Sequence, residues 1–306
     1  MAFWPRTGLL FALLVVYGCP RRGPDRPTVL QLGPYRAVQM HDHELLGVSG
    51  LALDQGDLVV VTEREQRFLR LRSDSEGAYR VVQNKPVIGV KKHRDLEALA
   101  RLGPGRYAVG TEQDERRKRD RIQFLEETPS SLTSTRSISL NIKELFGIRP
   151  KDNQGVEGLC SSGGYLLAAI ETVKVNEAGE RLAPLAVLGP GKKAFAPAWV
   201  RLLTDTGKLS ALHCRKVEAG LDAIAIERHY GVMRVIRFLV PFAPQGEVLD
   251  AVVMRDLEDV YQKLGQPNFE GIERFDDGTL VLVSDNDHGG RDGPTVLLFV
   301  PPPAAN

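Results

Sequence analysis

A short run with β-strand character that ends in a carboxylate recurs five times in this sequence, and it constrains the fold more than any other feature. The runs are 58–62, 107–111, 166–170, 222–226 and 280–284. The carboxylates that follow them, 49 to 59 residues apart, are Glu63, Glu112, Glu171, Glu227 and Asp285. A period near fifty residues in a chain of short strands indicates a radial β-repeat, because each unit is one sheet that cannot bury both faces without its neighbours.

A second strand precedes these runs, which gives each repeat the pattern of a β-hairpin with turn-forming residues in the middle. In four repeats this strand is led by a small or acidic residue, namely Ser49, Glu97, Glu157 and Glu270. In an antiparallel hairpin, the leading residue and the closing acid face each other at the open end. In the less regular fourth repeat we take Ser210 as the leading residue in preference to Asp222, because Ser210 preserves the spacing.

The length of the chain predicts the number of units. At roughly 45 to 50 residues per four-stranded blade, the residues after the N-terminal segment suit six blades better than five. We therefore expect an all-β fold, a six-bladed β-propeller, whose sixth blade forms by pairing of 28–38 with 295–300. This closure would leave no open sheet edge. The main helical candidates are 141–146 and 255–264.

The N-terminal segment is predicted to lie outside this fold. Arg6 precedes a short apolar run, 9–17, whereas a membrane-spanning helix needs about 20 apolar residues. We predict a signal peptide of lipoprotein type over 1–18, lipidation of Cys19, a Pro-rich tether over 19–27, and the propeller domain over 28–301. The expected location is the periplasm or the outer membrane of a bacterium. Because Tyr17 departs from the lipobox pattern, a plainly secreted protein is the alternative.

Charge and cysteine content narrow the function classes. Forty basic residues against thirty-nine acidic ones give a net charge of +1, which argues against a nucleic-acid binder. We also expect a monomer.

An oxidising compartment would permit a disulfide between Cys160 and Cys214. Both cysteines lie in apolar runs, however, where a lone cysteine behaves as a small hydrophobic residue, and we favour two unpaired thiols.

Five short motifs carry a resemblance to a known family: 97–100, 153–159, 225–230 and, most specifically, 268–272 with 282–287. They resemble the phytase-like family, whose name refers to the esterase-like activity of phytase, and the related SdiA-regulated periplasmic proteins. The resemblance runs in patches from Leu46 to Val300 and implies an exported β-propeller with acids around its central channel. It implies no particular reaction. The departures are Ser49 and the fourth repeat, where an acid would complete the ring.

If the innermost strands line a central channel, the leading and closing acids converge into a carboxylate-rich ring. Two carboxylates about 6 Å apart repel by about 3 kcal/mol at an effective dielectric constant near 20, so the ring needs neutralising. Oxygen ligands favour a hard divalent cation, Ca²⁺ before Mg²⁺. The predicted ligands are Glu97, Glu112, Glu171, Glu227, Asp285 and Asp287. The alternative is structural, with each carboxylate capping backbone N–H groups.

An enzymatic role needs further groups. Glu157 and Glu270 are the candidate catalytic carboxylates, and Lys92 and Arg94 are the candidate contacts for an anionic substrate. Arg228 directly follows a closing acid, and strand alternation predicts that it faces away from the ring. The sequence thus favours a divalent-cation-dependent phosphoester hydrolase, or a small-ligand site, at the acidic mouth of the channel. The alternative is a non-catalytic ligand-binding or scaffold propeller at the cell envelope.

Overall fold

The computed structural model describes residues 26–63, 65–91, 94–111, 120–149, 154–229, 231–286 and 293–302. The predicted signal peptide and Cys19 lie outside these ranges. The described residues form an all-β fold with two short helices, α1 (Ile142–Phe146) and α2 (Glu258–Lys263), which lie inside the two predicted helical segments. No helix in the described ranges has the length and apolar character required to cross a bilayer.

The strands of the first half belong to a terminal hairpin and two four-stranded units. The hairpin is β1 (Thr28–Leu32) and β2 (Tyr35–Met40). The first unit is β3 (Val48–Asp54), β4 (Asp57–Thr62), β5 (Arg67–Ser73) and β6 (Tyr79–Ile88). The second unit is β7 (Leu96–Gly103), β8 (Arg106–Thr111), β9 (Asp120–Glu127) and β10 (Leu132–Leu140). Within each unit the strands pair with their sequence neighbours in antiparallel fashion, as the hairpin pattern predicts.

The second half contributes three more units. The third is β11 (Val156–Ser162), β12 (Tyr165–Ile170), β13 (Lys174–Val175), β14 (Arg181–Leu188) and β15 (Ala196–Arg201). The fourth is β16 (Lys208–Val217), β17 (Gly220–His229), β18 (Val232–Val240), β19 (Val248–Leu249) and β20 (Val252–Asp256), although β19 pairs with β15 of the third unit. The last strands are β21 (Asn268–Arg274), β22 (Leu280–Asp285) and β23 (Thr295–Val300).

The first and last strands of the described chain close the fold, as the sequence predicts. β2 pairs antiparallel with β23, with Val38 opposite Leu297, and β1 extends the sheet beyond β2. The sheet β21–β22–β23–β2–β1 is therefore a fifth unit assembled from both ends of the chain. In the described ranges there are five such units, and the predicted count of six is not confirmed. The units are longer than 45 to 50 residues because they also hold α1, α2, β13 and β19.

The units are arranged in a ring. Their innermost strands contact one another in the cyclic order β3, β7, β11, β16, β21 and back to β3. Each of five apolar core clusters lies between two adjacent units. Alternate residues of one strand serve two interfaces: Leu58 and Val60 pack toward the fifth unit, whereas Val59 and Val61 pack toward the second. These contacts make the fold propeller-like.

A disulfide joins two innermost strands. Cys160 on β11 and Cys214 on β16 are bonded, with Cα atoms 5.6 Å apart, which corrects the expectation of two unpaired thiols. Both cysteines are buried in one apolar cluster, as their apolar sequence context suggests. That context could not show that the two strands lie side by side.

Candidate metal centre

A β-bulge recurs at the same place in every innermost strand. Near the start of each strand one residue is left out of the pairing register with the second strand. These extra residues are Gly50, Glu97, Glu157, Ser210 and Glu270. The bulge confirms Ser210 as the leading residue of the fourth unit and moves the first from Ser49 to Gly50. A bulge redirects a side chain from the regular alternation of its strand, so the repeat presents three glutamates at equivalent positions.

The axis of the ring is filled just beyond the bulges. Small residues from neighbouring strands meet there, and the described residues leave no space for a water molecule. Gly50 has a φ of +62°, and a Cβ atom at this position would lie 2.4 Å from the backbone nitrogen of Leu99. The close approach therefore requires glycine. The acids lie at one end of a closed ring of strands, and the predicted open channel is not seen in the described ranges.

Three carboxylates from three units converge at this end. One oxygen from each of Glu63, Glu97 and Glu270 lies within 4.8 Å of the other two. Glu97 and Glu270 are the bulge residues of the second and fifth units, and Glu63 follows β4 of the first unit. Glu97 and Glu270 are buried and Glu63 is half-buried. Ring closure thus brings together side chains that are far apart in the chain.

Glu270 has the most unusual surroundings of the three. Its Oε1 accepts hydrogen bonds from Asn268 Nδ2 (2.5 Å) and Arg228 Nη2 (3.1 Å). Its Oε2 is buried and has no hydrogen-bond partner in the structure as described. Burial raises the pKa of Glu270 to about 7, with smaller upward contributions from Asp285 and Glu171, against the opposing effects of Arg228 and Asn268.

Asp285 and Glu171 occupy equivalent closing positions of their units. Asp285 lies opposite Asn268 in the β21–β22 register and accepts a bond from its Nδ2 at 3.3 Å. Glu171 forms an ion pair with Lys208, with Nζ and Oε1 2.8 Å apart. Both predicted ligands therefore lie near Glu270, since both influence its pKa, but neither belongs to the group of three.

Glu227, which the sequence predicts as a metal ligand, does not belong to this group of three carboxylates. Its side chain is fully buried, and its oxygens accept hydrogen bonds from Leu203 N (3.1 Å), Thr204 N (3.0 Å) and Thr204 Oγ1 (2.6 Å). It therefore caps the connection between β15 and β16, as the structural alternative proposed. Arg228, one residue later, pairs opposite Lys208 at the register position that Asp285 occupies in its own unit.

Arg228 therefore faces the site, contrary to the sequence prediction. Alternation along β17 holds, but the closing position of the fourth unit is one residue later than the acid pattern suggested. Sequence reasoning also missed Asn268 as a partner of Glu270. Asn268 could have been assigned to the site from its position two residues before Glu270 in the most specific motif. No local sequence feature assigns Arg228 to the site.

The remaining predicted residues are distributed around this end. Glu157 is the half-buried bulge residue of the third unit and lines the narrow axial space together with Glu270. Arg94 is buried and donates from Nη1 to Thr111 Oγ1 at 3.2 Å. Lys92, Glu112 and Asp287 lie outside the described residues.

The geometry defines a propeller-like protein with a carboxylate cluster at one end of its innermost strands. The family model described as "Esterase-like activity of phytase" matches residues 43–288. The chain belongs to this phytase-like family. The resemblance noted from the sequence motifs is thereby confirmed.

Several solved structures align with most of the chain at low sequence identity. A Trichoderma reesei enzyme of carbohydrate-active family AA12 aligns with a TM-score of 0.47 and 9% identity, over 92% of this chain and 99% of its own. A mannose phosphorylase from Leishmania mexicana aligns with a TM-score of 0.46 and 12% identity, over 92% and 86%. A putative glucose dehydrogenase from Thermus aligns with a TM-score of 0.44 and 12% identity, over 86% and 99%. No curated protein matches the chain.

Proposed function

We propose that this phytase-like protein binds a divalent cation, Ca²⁺ before Mg²⁺, at Glu63, Glu97 and Glu270 and uses it to hydrolyse a small phosphoester. The observation that carries the proposal is the Oε2 atom of Glu270, a buried carboxylate oxygen without a hydrogen-bond partner in the described structure. Such a group costs free energy in the folded state. A cation is the partner that would offset this cost and the repulsion between the three carboxylates.

The donor set fits a hard cation. Ca²⁺ binds oxygen ligands at 2.3 to 2.6 Å, and the three oxygens within 4.8 Å of one another could all reach one ion. At that separation two carboxylates repel by about 3 kcal/mol at an effective dielectric constant near 20. The absence of sulfur and imidazole ligands from this group favours Ca²⁺ or Mg²⁺ over a softer metal.

The neighbouring residues suit an anionic substrate. A bound divalent cation would polarise phosphate oxygens and acidify a water molecule. Glu157, at the equivalent bulge, is our candidate for the general base. Arg94 and Arg228 would supply positive charge for the phosphate at the same end of the ring. In this proposal Glu270 acts as a ligand to the cation, and its carboxylate is not required as the base.

We further propose that the protein is an exported monomer held at the cell envelope by lipid on Cys19, with no nucleic-acid partner. The disulfide between Cys160 and Cys214 supports export, because such bonds persist mainly in oxidising compartments. The near-neutral net charge of +1 supports the absence of a nucleic-acid partner.

Calorimetric titration with Ca²⁺ after treatment with a chelator tests the cation site. We expect saturable binding by the native protein and a loss of at least about tenfold in affinity for Glu270→Gln, which replaces a ligand oxygen and removes a charge. Glu126→Gln, at an exposed position on β9, is the matched control and should bind like the native protein. A flat titration of the native protein would rule out the cation site.

A panel of phosphomonoesters and phosphodiesters then tests hydrolysis. We expect turnover with Ca²⁺, no turnover with chelator, and a loss of kcat in Glu157→Gln with Ca²⁺ binding retained. Ca²⁺ binding without turnover of any ester would contradict the hydrolase proposal and favour the ligand-binding or scaffold role.

A further inference from the structure

We propose that Arg228 is a positioning residue that holds the carboxylate of Glu270 in the orientation needed to bind the cation. The role rests on the proposed function, since it concerns the same site. Arg228 would act by fixing one carboxylate oxygen and the local backbone, which leaves the other oxygen without a donor and available to a cation.

The guanidinium group of Arg228 bridges two parts of the fifth-unit bulge. Its Nε donates to the carbonyl of Phe269 at 2.9 Å, and its Nη2 donates to Glu270 Oε1 at 3.1 Å. Arg228 lies on β17, in the neighbouring unit. One planar group thus holds both the backbone that sets the bulge and the side chain that the bulge presents.

The backbone contact is reinforced by a second donor. The Oγ atom of Ser210 also donates to the Phe269 carbonyl, at 3.0 Å. A bulge disrupts the regular ladder of hydrogen bonds, so its carbonyl groups need partners from outside the strand pair. The fourth unit therefore supplies two side chains that fix the bulge of the fifth.

The side-chain contact selects one oxygen of Glu270. Asn268 Nδ2 donates to the same Oε1 at 2.5 Å and also contacts Asp285 Oδ2 at 3.3 Å. Two donors therefore occupy Oε1, whereas Oε2 is buried without a partner. Donors in this arrangement orient a metal-binding carboxylate, and loss of such outer contacts typically costs 10- to 100-fold in metal affinity.

A positioning role and a purely electrostatic role have opposite consequences. If Arg228 acted only as a nearby positive charge, it would repel a cation, so its removal would strengthen Ca²⁺ binding. If Arg228 positions Glu270, its removal should weaken binding. Lysine separates the two roles further, because it keeps the charge but cannot make the two-pronged contact of a guanidinium group.

The experiment compares Arg228→Met, Arg228→Lys and the native protein by Ca²⁺ calorimetry at one pH. We expect binding to weaken by about 10- to 100-fold in Arg228→Met and by a smaller factor in Arg228→Lys. Arg234→Met is the matched control, because Arg234 lies on the adjacent β18 and pairs with the exposed Asp256. This control should bind like the native protein.

Luminescence of bound Tb³⁺ in H₂O and D₂O gives a second measurement, since it counts the water molecules on the ion. We expect this count to rise in Arg228→Met as Glu270 withdraws, whereas a change in stability alone would leave it unaltered. If Arg228→Met does not fold, Asn268→Ala removes the other donor to Oε1, and the same loss of affinity is expected.

Tighter or unchanged Ca²⁺ binding by Arg228→Met, or native affinity in Arg228→Lys, would overturn the positioning role and leave the cation site standing. A flat titration of the native protein would instead overturn the proposed function, and the positioning role with it.

Discussion

Two buried charged clusters lie at opposite ends of the inner strands, and they differ in how their carboxylates are satisfied. At the turn end, Asp54 is 2% exposed and accepts hydrogen bonds from Arg70 (2.9 Å), Arg101 (2.6 Å) and the hydroxyl of Tyr107 (2.8 Å). At the bulge end, Glu270 is 8% exposed and therefore also buried, but it has an oxygen with no such partner in the described structure. Burial of charge is therefore common to both ends, and only unsatisfied bonding capacity distinguishes the bulge end.

The pKa values of the two carboxyl groups move in opposite directions, because the balance between burial and hydrogen bonding differs at the two ends. Burial acts to raise the pKa of Asp54, but hydrogen bonds from Arg70, Tyr107 and Arg101 outweigh it and lower that pKa below 3.8. For Glu270, burial outweighs Arg228 and Asn268, and the pKa rises to about 7. The turn end joins the first and second units as a closed network, whereas the bulge end favours a proton or another cation.

The largest expected effect comes from breaking the turn-end network. Asp54→Ala leaves Arg70 and Arg101 without their shared carboxylate, and loss of one partner of a buried ion pair typically costs about 3 to 5 kcal/mol. Urea denaturation at pH 7 should show this loss of stability, while the Ca²⁺ affinity of the folded fraction stays unchanged. Asp256→Ala, whose carboxylate pairs with Arg234 and is 53% exposed, is the control and should cost about 1 kcal/mol or less.

A loss of Ca²⁺ affinity in Asp54→Ala would contradict the independence of the turn end and the bulge end, because it would mean that the two ends are coupled through the inner strands.

The next effect concerns Glu270 in the absence of cations, where Glu270→Gln should stabilise the protein. A carboxyl group whose folded pKa is raised from 4.5 to about 7 favours folding while protonated, so its contribution is lost as the pH rises through that range. The glutamine variant should thus be more stable than the native protein by about 3 kcal/mol at pH 8 and equally stable at pH 4. Urea denaturation with chelator at both pH values measures this difference.

Glu126→Gln is again the control and should show no such pH-dependent gain. Equal or lower stability of Glu270→Gln at pH 8 would mean that the bulge end is a structural network like the turn end.

Part of the fold could be predicted from the sequence alone. The period of the closing acids predicted the hairpins, and the two terminal segments predicted the closing pair β2 and β23. Both depend on short-range patterns and on the requirement to pair sheet edges. The number of units depended on insertions such as α1 and β19, whose lengths follow no periodic rule.

Site residues could be predicted from the sequence only in units whose strand register could also be predicted. Glu97 and Glu270 lead their strands in the same pattern, so their convergence followed from the fold. The sequence predicted that Glu227 faces the site and Arg228 faces away, and the structure has the reverse. The closing position of the fourth unit is shifted by one residue, and a shift of one residue in a strand reverses the face of every side chain. No local signal in the sequence specifies such a shift.

The smallest expected effect tests whether the cluster extends to the third unit. Glu171 occupies the same closing position as Asp285, and the sequence predicted it as a ligand, but its Oε1 already pairs with Lys208 at 2.8 Å. The two side chains are 21% and 30% exposed, so removing this ion pair should cost about 1 kcal/mol or less. Because Glu171 is already neutralised, Glu171→Gln should change Ca²⁺ affinity by less than about threefold in calorimetry.

Asp205→Asn, elsewhere in the connection to β16, serves as the control for loss of one negative charge. A loss of about tenfold or more in Ca²⁺ affinity for Glu171→Gln, but not for the control, would mean that the third unit contributes to the cation site. In that case a carboxylate with an ion-pair partner could also be a ligand, and the lack of a partner would no longer distinguish ligands from structural acids at this end of the ring.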